Sequence, residues 1–134
     1  MSETFVKPEK NYETMIRTRM SSGEAHYAGE LVNGSHTVEL MGDVATNLMI
    51  MRDGNEGTCL GYDEIRYTFP TYAGDFIEVD GRIIGECGNK RKVQLRAFKI
   101  AENARMLRQD SAVNVYENPV MTVEATAIYE VPEK

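Results

Sequence analysis

The chain has 134 residues, which suits one domain with a full hydrophobic core. Its net charge of −6 and pI near 5.0 exclude nucleic acid as the main partner, because binding phosphates needs a basic face. No apolar run reaches the length of a membrane span, and the N-terminus lacks the apolar core of a signal peptide. The two cysteines, Cys59 and Cys87, have no zinc-ligand spacing. We therefore expect a cytoplasmic protein with no disulfide, metal or membrane contact.

In chain order, the first predicted elements are a flexible segment, a strand and a loop. Residues 1–11 are polar, so we expect them to be flexible. Polar and apolar side chains alternate over residues 12–20, which predicts a strand. Glycines punctuate residues 22–34, as is typical of a loop.

One long helix is predicted next, ending before Gly54, with Asn33 or Ser35 as candidate caps at its start. Its apolar residues recur at helical spacing on a single wide face, which comprises Val38, Met41, Val44, Ala45, Leu48 and Met51. A narrow polar stripe on the opposite face comprises His36, Glu39, Asp43 and Asn47. A helix this apolar is expected to be largely buried, so a carboxylate in its middle indicates a functional site.

The remainder of the chain is predicted to be β structure. Strands are expected at residues 60–69, 76–86, 90–100 and 119–131, with the second kinked at Gly81 and Gly85 and with a turn at Gly88-Asn89. Residues 102–118 are polar and mixed, which predicts a long connection. A lone apolar helix must be covered by the antiparallel sheet, and a sheet curled around one helix is the hotdog architecture. The predicted fold is therefore α+β, with one hotdog domain over residues 1–134.

Several motifs of the chain resemble one family, the hotdog-fold β-aminoacyl-CoA ammonia lyases, which act on β-alanyl-CoA or 3-aminobutyryl-CoA. The similarity covers residues 15–127. The motifs that carry it are Ala25-His26-Tyr27 with Gly29, Leu31-Val32 with Gly34, Gly42-Asp43-Val44-Ala45-Thr46 with Leu48, Asp53-Gly54, Gly61-Tyr62-Asp63, Tyr72-Ala73-Gly74-Asp75-Phe76-Ile77-Glu78-Val79, and Gly88-Asn89. One departure is that the family has Glu after the helix Thr, where this chain has Asn47. That departure raises the prospect of altered chemistry or a different substrate.

The resemblance implies a reversible elimination of ammonia from a short β-aminoacyl-CoA, as in amino acid fermentation, with no metal and no cofactor beyond the coenzyme A of the substrate. Such an enzyme must remove an α-proton and stabilise an enolate-like thioester oxygen. Free N–H groups at the start of a helix can stabilise that oxygen. Asp43 is the predicted base, and the family motif adds His26 and Tyr27 as catalytic residues. The residues expected to bind substrate and coenzyme A are Glu39, Thr46, Asn47, Asn89, Arg91 and Lys92.

Each site prediction has a structural alternative. Asp43 and Glu39 could belong to a solvated stripe, His26 could bond the loop backbone, and Tyr27 could be a core aromatic residue. The basic run at residues 90–92 could be a solvated strand edge instead of a contact to coenzyme A phosphates. We expect a homodimer, or a trimer of dimers, with sites at the subunit interface. The competing functions are a hotdog acyl-CoA thioesterase and a non-catalytic acyl-CoA-binding module.

Overall fold

The computed structural model describes residues 3–21, 28–109 and 111–133. Within them the elements are strand β1 (Glu13–Arg19), helix α1 (Gly34–Asp53), and strands β2 (Thr58–Tyr67), β3 (Phe76–Cys87), β4 (Lys90–Asn103) and β5 (Val113–Glu130). A short 3-10 turn at Ala28–Glu30 precedes the helix. The strands form one antiparallel sheet in the order β1-β3-β4-β5-β2. One α-helix and a five-stranded antiparallel sheet confirm the predicted α+β class.

Helix α1 packs on one face of the sheet, mainly against β3 and β4. The residues that it buries are Thr37, Met41, Val44, Ala45, Leu48 and Met49. Gly81 of β3 makes the close approach possible, since a Cβ there would lie 2.7 Å from Val44 Cγ1. A kink was predicted at both Gly81 and Gly85. The pairing of β3 with β4 stays in register at Gly81 and shifts between Ile83 and Gly85.

The helix ends as the sequence predicts. Gly54 adopts the left-handed conformation (φ 65°), and its N–H donates to Ile50 O at 2.9 Å. The predicted apolar face is correct except at its edges: Val38 is half-buried and Met51 is 48% exposed, while Met49 is buried in its place. Met49 follows Ala45 by four residues and therefore lies on the same face of the helix.

The prediction of a long connection over residues 102–118 is wrong. Strands β4 and β5 continue as a hairpin, with Ala101 opposite Val115 and Asn103 opposite Val113, so that only residues 104–112 connect them. The outer half of β5 lies beyond the helix, and its residues are largely exposed. Without a buried face, these strands have no reason to alternate polar and apolar side chains, and the pattern on which the prediction depended is missing.

The N-terminal segment is anchored to the sheet, although flexibility was expected of it. Val6 exchanges two backbone hydrogen bonds with Glu86, at 2.9 and 2.7 Å. Phe5 lies on Gly85, and a Cβ built on Gly85 would be 2.8 Å from the Cβ of Phe5. Residues 5 and 6 therefore extend the sheet next to the end of β3.

Candidate active site

A cleft at the start of α1 has a volume of about 580 Å³, within the range of small-ligand sites. Residues 31–35, where the chain enters α1, form one wall, and residues 67–71, at and after the end of β2, form the other. Backbone hydrogen bonds hold these walls together, from Val32 N to Thr71 O at 2.8 Å and from Ala73 N to Glu30 O at 2.9 Å. The cleft is therefore a fixed part of the fold.

The floor of the cleft offers hydrogen-bond donors. Gly34 and Ser35 line it, and because they begin the helix, their N–H groups have no acceptor within it. The capping residue Asn33 makes no side-chain hydrogen bond to the helix, and only its backbone oxygen accepts from His36 N, at 3.1 Å. The free N–H groups and the positive end of the helix dipole suit a developing negative charge, such as an enolate oxygen.

Tyr67 covers this floor from the end of β2. A Cβ built on Gly34 would lie 2.4 Å from Tyr67 Cε1, so the ring occupies the space that a side chain at position 34 would need. Tyr67 is nevertheless 56% exposed. The sequence analysis did not single out this contact, because Gly34 and Tyr67 are distant in the chain.

Asp43, the predicted base, does not reach the cleft of its own chain. It is exposed on the solvent side of α1 and lies nine residues after Gly34, about 13 Å along the helix axis. The expectation that this carboxylate is buried is therefore wrong for a single chain. Glu39, one turn earlier, is also exposed, and its Oε2 lies 3.8 Å from His36 Nδ1.

The other predicted residues of the helix stripe lie on the same side as Asp43 or next to it. Thr46 is half-buried, and Asn47 is exposed and donates from Nδ2 to Thr14 Oγ1 at 3.2 Å. Their predicted role in substrate binding stays a prediction. His26 and Tyr27 lie outside the described residues.

The basic strand lies at the opposite end of the helix from the cleft. Arg91 is buried and forms a two-point ion pair with Asp53, the last residue of α1, at 3.0 and 3.1 Å. Its Nη1 also donates to Gly88 O and Lys90 O. The guanidinium of Arg91 therefore connects the Gly88-Asn89 turn to the end of α1. This structural role differs from the predicted contact with coenzyme A.

The neighbours of Arg91 are more accessible. Lys92 is half-buried, with its Nζ 3.8 Å from Asp63 Oδ2 and 5.8 Å from the centre of the Phe5 ring. Asn89 donates from Nδ2 to Val131 O at 2.7 Å, and Lys90 pairs with Glu3. Contacts of these residues with coenzyme A stay predictions.

Behind the cleft lies a buried ion pair that the sequence analysis missed. Lys99 Nζ is 2.8 Å from Asp75 Oδ2, and both side chains are at least 95% buried. The ammonium lies 5.0 Å from the ring centre of Phe69, a cleft residue, and 5.2 Å from that of Tyr72. The signal was present, since Lys99 continues the inward-facing alternation of Val93, Leu95 and Ala97 on β4.

Three tyrosines have raised pKa values. Burial raises the pKa of Tyr62, and burial together with the nearby Cys59 raises that of Tyr129, to which the charge of Asp43 adds a smaller contribution. Burial and a hydrogen bond to Glu102 Oε2, 2.7 Å long, raise the pKa of Tyr116 to about 12. The hydroxyl of Tyr116 donates this bond, and the Glu102 carboxylate is its acceptor.

Among the described residues, no cluster of His, Cys, Asp and Glu has the arrangement of a metal site. Within the same described residues, no helix combines the length and the apolarity that crossing a membrane requires.

Comparisons with known proteins identify the family. No protein-family model matches the chain. A 3-aminobutyryl-CoA ammonia lyase from Acetoanaerobium sticklandii is 40% identical over 120 residues, which cover 90% of this chain and 94% of the relative. The solved structure of β-alanyl-CoA:ammonia lyase from Clostridium propionicum superimposes with a TM-score of 0.84 at 34% identity, covering 90% of this chain and 85% of that one.

More distant structures share the fold alone. A hexameric thioesterase from Yersinia pestis has a TM-score of 0.73 at 13% identity, covering 89% of this chain and 87% of that chain. An acyl-CoA hydrolase from Bacillus cereus has a TM-score of 0.73 at 10% identity, covering 92% of this chain and 67% of that chain. The high identity to the two lyases, across nearly the whole length of this chain, decides between these groups. The chain belongs to the hotdog-fold family of β-aminoacyl-CoA ammonia lyases.

Proposed function

We propose that this protein is a carbon–nitrogen lyase that removes ammonia from a short β-aminoacyl-CoA, either 3-aminobutyryl-CoA or β-alanyl-CoA, and forms the enoyl-CoA reversibly. The observation that carries this proposal is the 40% identity to a 3-aminobutyryl-CoA ammonia lyase over 90% of the chain. The cleft at the start of α1 supports it, because the free N–H groups of Gly34 and Ser35 suit the oxygen of a thioester enolate.

The proposed assembly is a homodimer formed along β2. This strand is an edge of the sheet, and its exposed apolar side chains include Leu60, Ile65 and Tyr67. An edge strand with such side chains is prone to pair with another chain, and a two-fold axis lets the same edge serve both copies. A second copy would also cover the solvent side of α1, which completes the wrapping of the helix. The hexameric thioesterase with the same fold supports a trimer of dimers as a further stage.

A second copy also resolves the position of Asp43. The base must reach the α-carbon, which is bonded to the thioester carbonyl, yet Asp43 lies about 13 Å along the helix from the donors that would bind that carbonyl. Helices related by a two-fold axis can run antiparallel, so that the middle of one helix lies near the start of the other. We propose that Asp43 of a second copy serves the cleft of the first.

The reaction then proceeds as follows. The thioester oxygen accepts hydrogen bonds from the N–H groups at the start of α1, and the carboxylate of Asp43 takes the α-proton. The electron pair of the broken C–H bond forms the new C=C bond, the C–N bond breaks, and the amine departs as ammonia with the electron pair of that bond. In reverse, ammonia adds to the β-carbon and Asp43 returns the proton to the α-carbon.

Coenzyme A enters this proposal only as part of the substrate. Its phosphates would contact Lys92 and Asn89, which lie at the end of α1 opposite to the cleft and so approach a cleft most readily from a second copy. The cytoplasm is the proposed location, in keeping with two free thiols, Cys59 and Cys87.

The test is a product balance with 3-aminobutyryl-CoA. A lyase releases ammonia and crotonyl-CoA in equal amounts, without free coenzyme A thiol, and the reverse reaction consumes crotonyl-CoA when ammonium is added. Release of thiol without ammonia would identify a thioesterase instead. Binding of the thioester without either product would identify a binding module, and both of these results would overturn the proposal.

A further inference from the structure

Lys99 is a buried charge that the proposed reaction does not use. Its side chain is 2% exposed, and its Nζ lies 2.8 Å from Asp75 Oδ2. Taking such a pair out of water costs free energy, and an apolar residue of similar size is often at least as stabilising in the same place. Stability alone therefore does not account for a lysine at this position, and its remaining contacts indicate a second role.

Those contacts are two aromatic rings of the segment that follows β2. The Lys99 ammonium lies 5.0 Å from the centre of the Phe69 ring and 5.2 Å from that of the Tyr72 ring, both within the range of a cation–π interaction. Phe69 lines the cleft and is 45% exposed. Because the Lys99 side chain is almost wholly buried, its ammonium lies on the inner side of the Phe69 ring, and the outer surface of the ring is presented to the cleft.

The backbone around Phe69 is held independently of Lys99. The N–H groups of Thr68 and Phe69 both donate to Thr122 O, at 2.8 and 3.4 Å, and Thr68 Oγ1 donates to Met121 O at 2.7 Å. These bonds fix the main chain against β5, but they do not constrain the rotation of the Phe69 side chain. Loss of the ammonium should therefore release the ring and leave the backbone of this wall in place.

The walls of the cleft near this ring are apolar. The cleft residues with apolar or aromatic side chains are Leu31, Val32, Tyr67, Phe69, Pro70 and Val123. A short β-aminoacyl thioester carries, besides its amine, one variable group on the β-carbon, which is a methyl group in 3-aminobutyryl-CoA and a hydrogen atom in β-alanyl-CoA. An apolar ring gains buried surface from the methyl group and almost none from the hydrogen.

We propose that Phe69 contacts the β-methyl group and is a specificity-determining residue that favours 3-aminobutyryl-CoA over β-alanyl-CoA. Lys99 is the positioning residue behind it, because its ammonium holds the ring toward the cleft. The inference rests on the proposed function and deepens it, since it selects between the two substrates. One methyl group in an apolar site changes kcat/KM about tenfold, so the wild type should prefer 3-aminobutyryl-CoA by about that factor.

Phe69→Ala tests the ring directly. We expect kcat/KM to fall more for 3-aminobutyryl-CoA than for β-alanyl-CoA, so that the preference drops from about tenfold to less than about threefold. Phe98→Ala is the matched control, because Phe98 is a half-buried residue of β4 whose ring centre lies 5.4 Å from the Arg96 guanidinium. This control should keep the wild-type preference.

A double variant separates positioning from stability. Lys99→Met with Asp75→Asn removes the ammonium without leaving a buried carboxylate unpaired, and it is assayed below the melting transitions of both the variant and the wild type. If Lys99 orients the ring, the preference of the folded double variant should fall toward that of Phe69→Ala. If Lys99 only stabilises the fold, the folded double variant keeps the wild-type preference, and that result would overturn the role of Lys99.

Two further results would overturn the inference. A wild type that uses both thioesters equally well, or β-alanyl-CoA better, would show that the site gains nothing from the methyl group. An unchanged preference in a folded Phe69→Ala variant would mean that the methyl group lies against other residues. In all of these cases the wild type still releases ammonia, whereas failure of the proposed function would appear as a wild type that releases none from either thioester.

Discussion

The side chain of Asp43 is exposed to solvent in a single chain. Its removal should therefore affect activity more than stability. Asp43→Asn keeps the shape of the side chain and removes the base, so kcat should fall about 10²-fold or more. Since no ion pair or hydrogen bond to Asp43 is found among the described residues of its own chain, the substitution strands no partner there, and the melting temperature should not fall. Steady-state kinetics with 3-aminobutyryl-CoA and a melting curve check both expectations.

Glu56→Gln is the matched control, since Glu56 is an exposed carboxylate that follows the same helix and has no place in the predicted site. We expect it to keep most of the activity. If the folded Asp43→Asn variant is nearly as active as the wild type, the base does not lie at position 43 and the assignment of the site to this side of the helix is wrong.

Gly34 offers a test of the donors at the helix start. Proline is well tolerated as the first residue of a helix, and Asn33, with φ −58° and ψ 136°, has the extended conformation that a residue before proline needs. Gly34→Pro removes one N–H from the cleft, so we expect kcat to fall about 10²- to 10³-fold. Gly34→Ala displaces the Tyr67 ring in the same way but keeps the N–H, and it should retain clearly more activity. Equal losses in both variants would assign the effect to the ring and not to the donor.

At the scale of the elements, the buried pair of Lys99 on β4 and Asp75, the residue before β3, lies behind the cleft. Lys99→Met leaves the Asp75 carboxylate buried without its cation, so the free energy of unfolding should fall by about 3–5 kcal/mol. Adding Asp75→Asn removes the stranded charge and keeps an acceptor for Tyr72 N, which Asp75 Oδ2 binds at 2.7 Å. The double variant should therefore recover much of the loss in urea denaturation. A single variant as stable as the wild type would show that the pair does not stabilise the fold.

Strand β4 also carries the basic run, and only part of it is free to bind substrate. Arg91 is committed to Asp53, whereas Lys92 is half-buried with a loose ion pair. If Lys92 contacts coenzyme A phosphates, Lys92→Glu should raise KM with little change in kcat, the result of losing binding common to the ground and transition states. Lys10→Glu, at an exposed position before β1, controls for net charge. An unchanged KM in Lys92→Glu would mean that the basic run at residues 90–92 is a solvated strand edge.

The elements that sequence predicts best are those with one buried face. On β4, the alternation of Val93, Leu95 and Ala97 gives the correct inward face, and Arg91 and Lys99 continue it. Their burial was not predicted, because a charged residue is stable there only beside its partner, and Asp53 and Asp75 come from distant parts of the chain. The outer part of the β4–β5 hairpin was missed because most of its residues on β5 are exposed and have no core to face.

At the scale of the whole molecule, the chain presents the two halves of a site at separate places. The donors lie at the start of α1, the predicted base lies near its middle, and the basic run lies at its end, about 30 Å from the donors. Sequence analysis identifies the helix and its carboxylate from periodicity, but the separation along the helix becomes apparent only in three dimensions. Under the proposed mechanism one chain would be incomplete, and a dimer would be the smallest active unit.

The most direct test of this account is a mixture of two inactive variants. Asp43→Asn and Gly34→Pro are co-expressed with different tags, and the mixed dimers are compared with each variant alone. If Asp43 of one copy serves the cleft of the other, a mixed dimer contains one intact site, and random pairing should restore about a quarter of the wild-type activity. If the two residues act within one chain, every site in the mixture carries a defect. Activity no higher than that of the separate variants, in a sample shown to contain mixed dimers, would contradict the account.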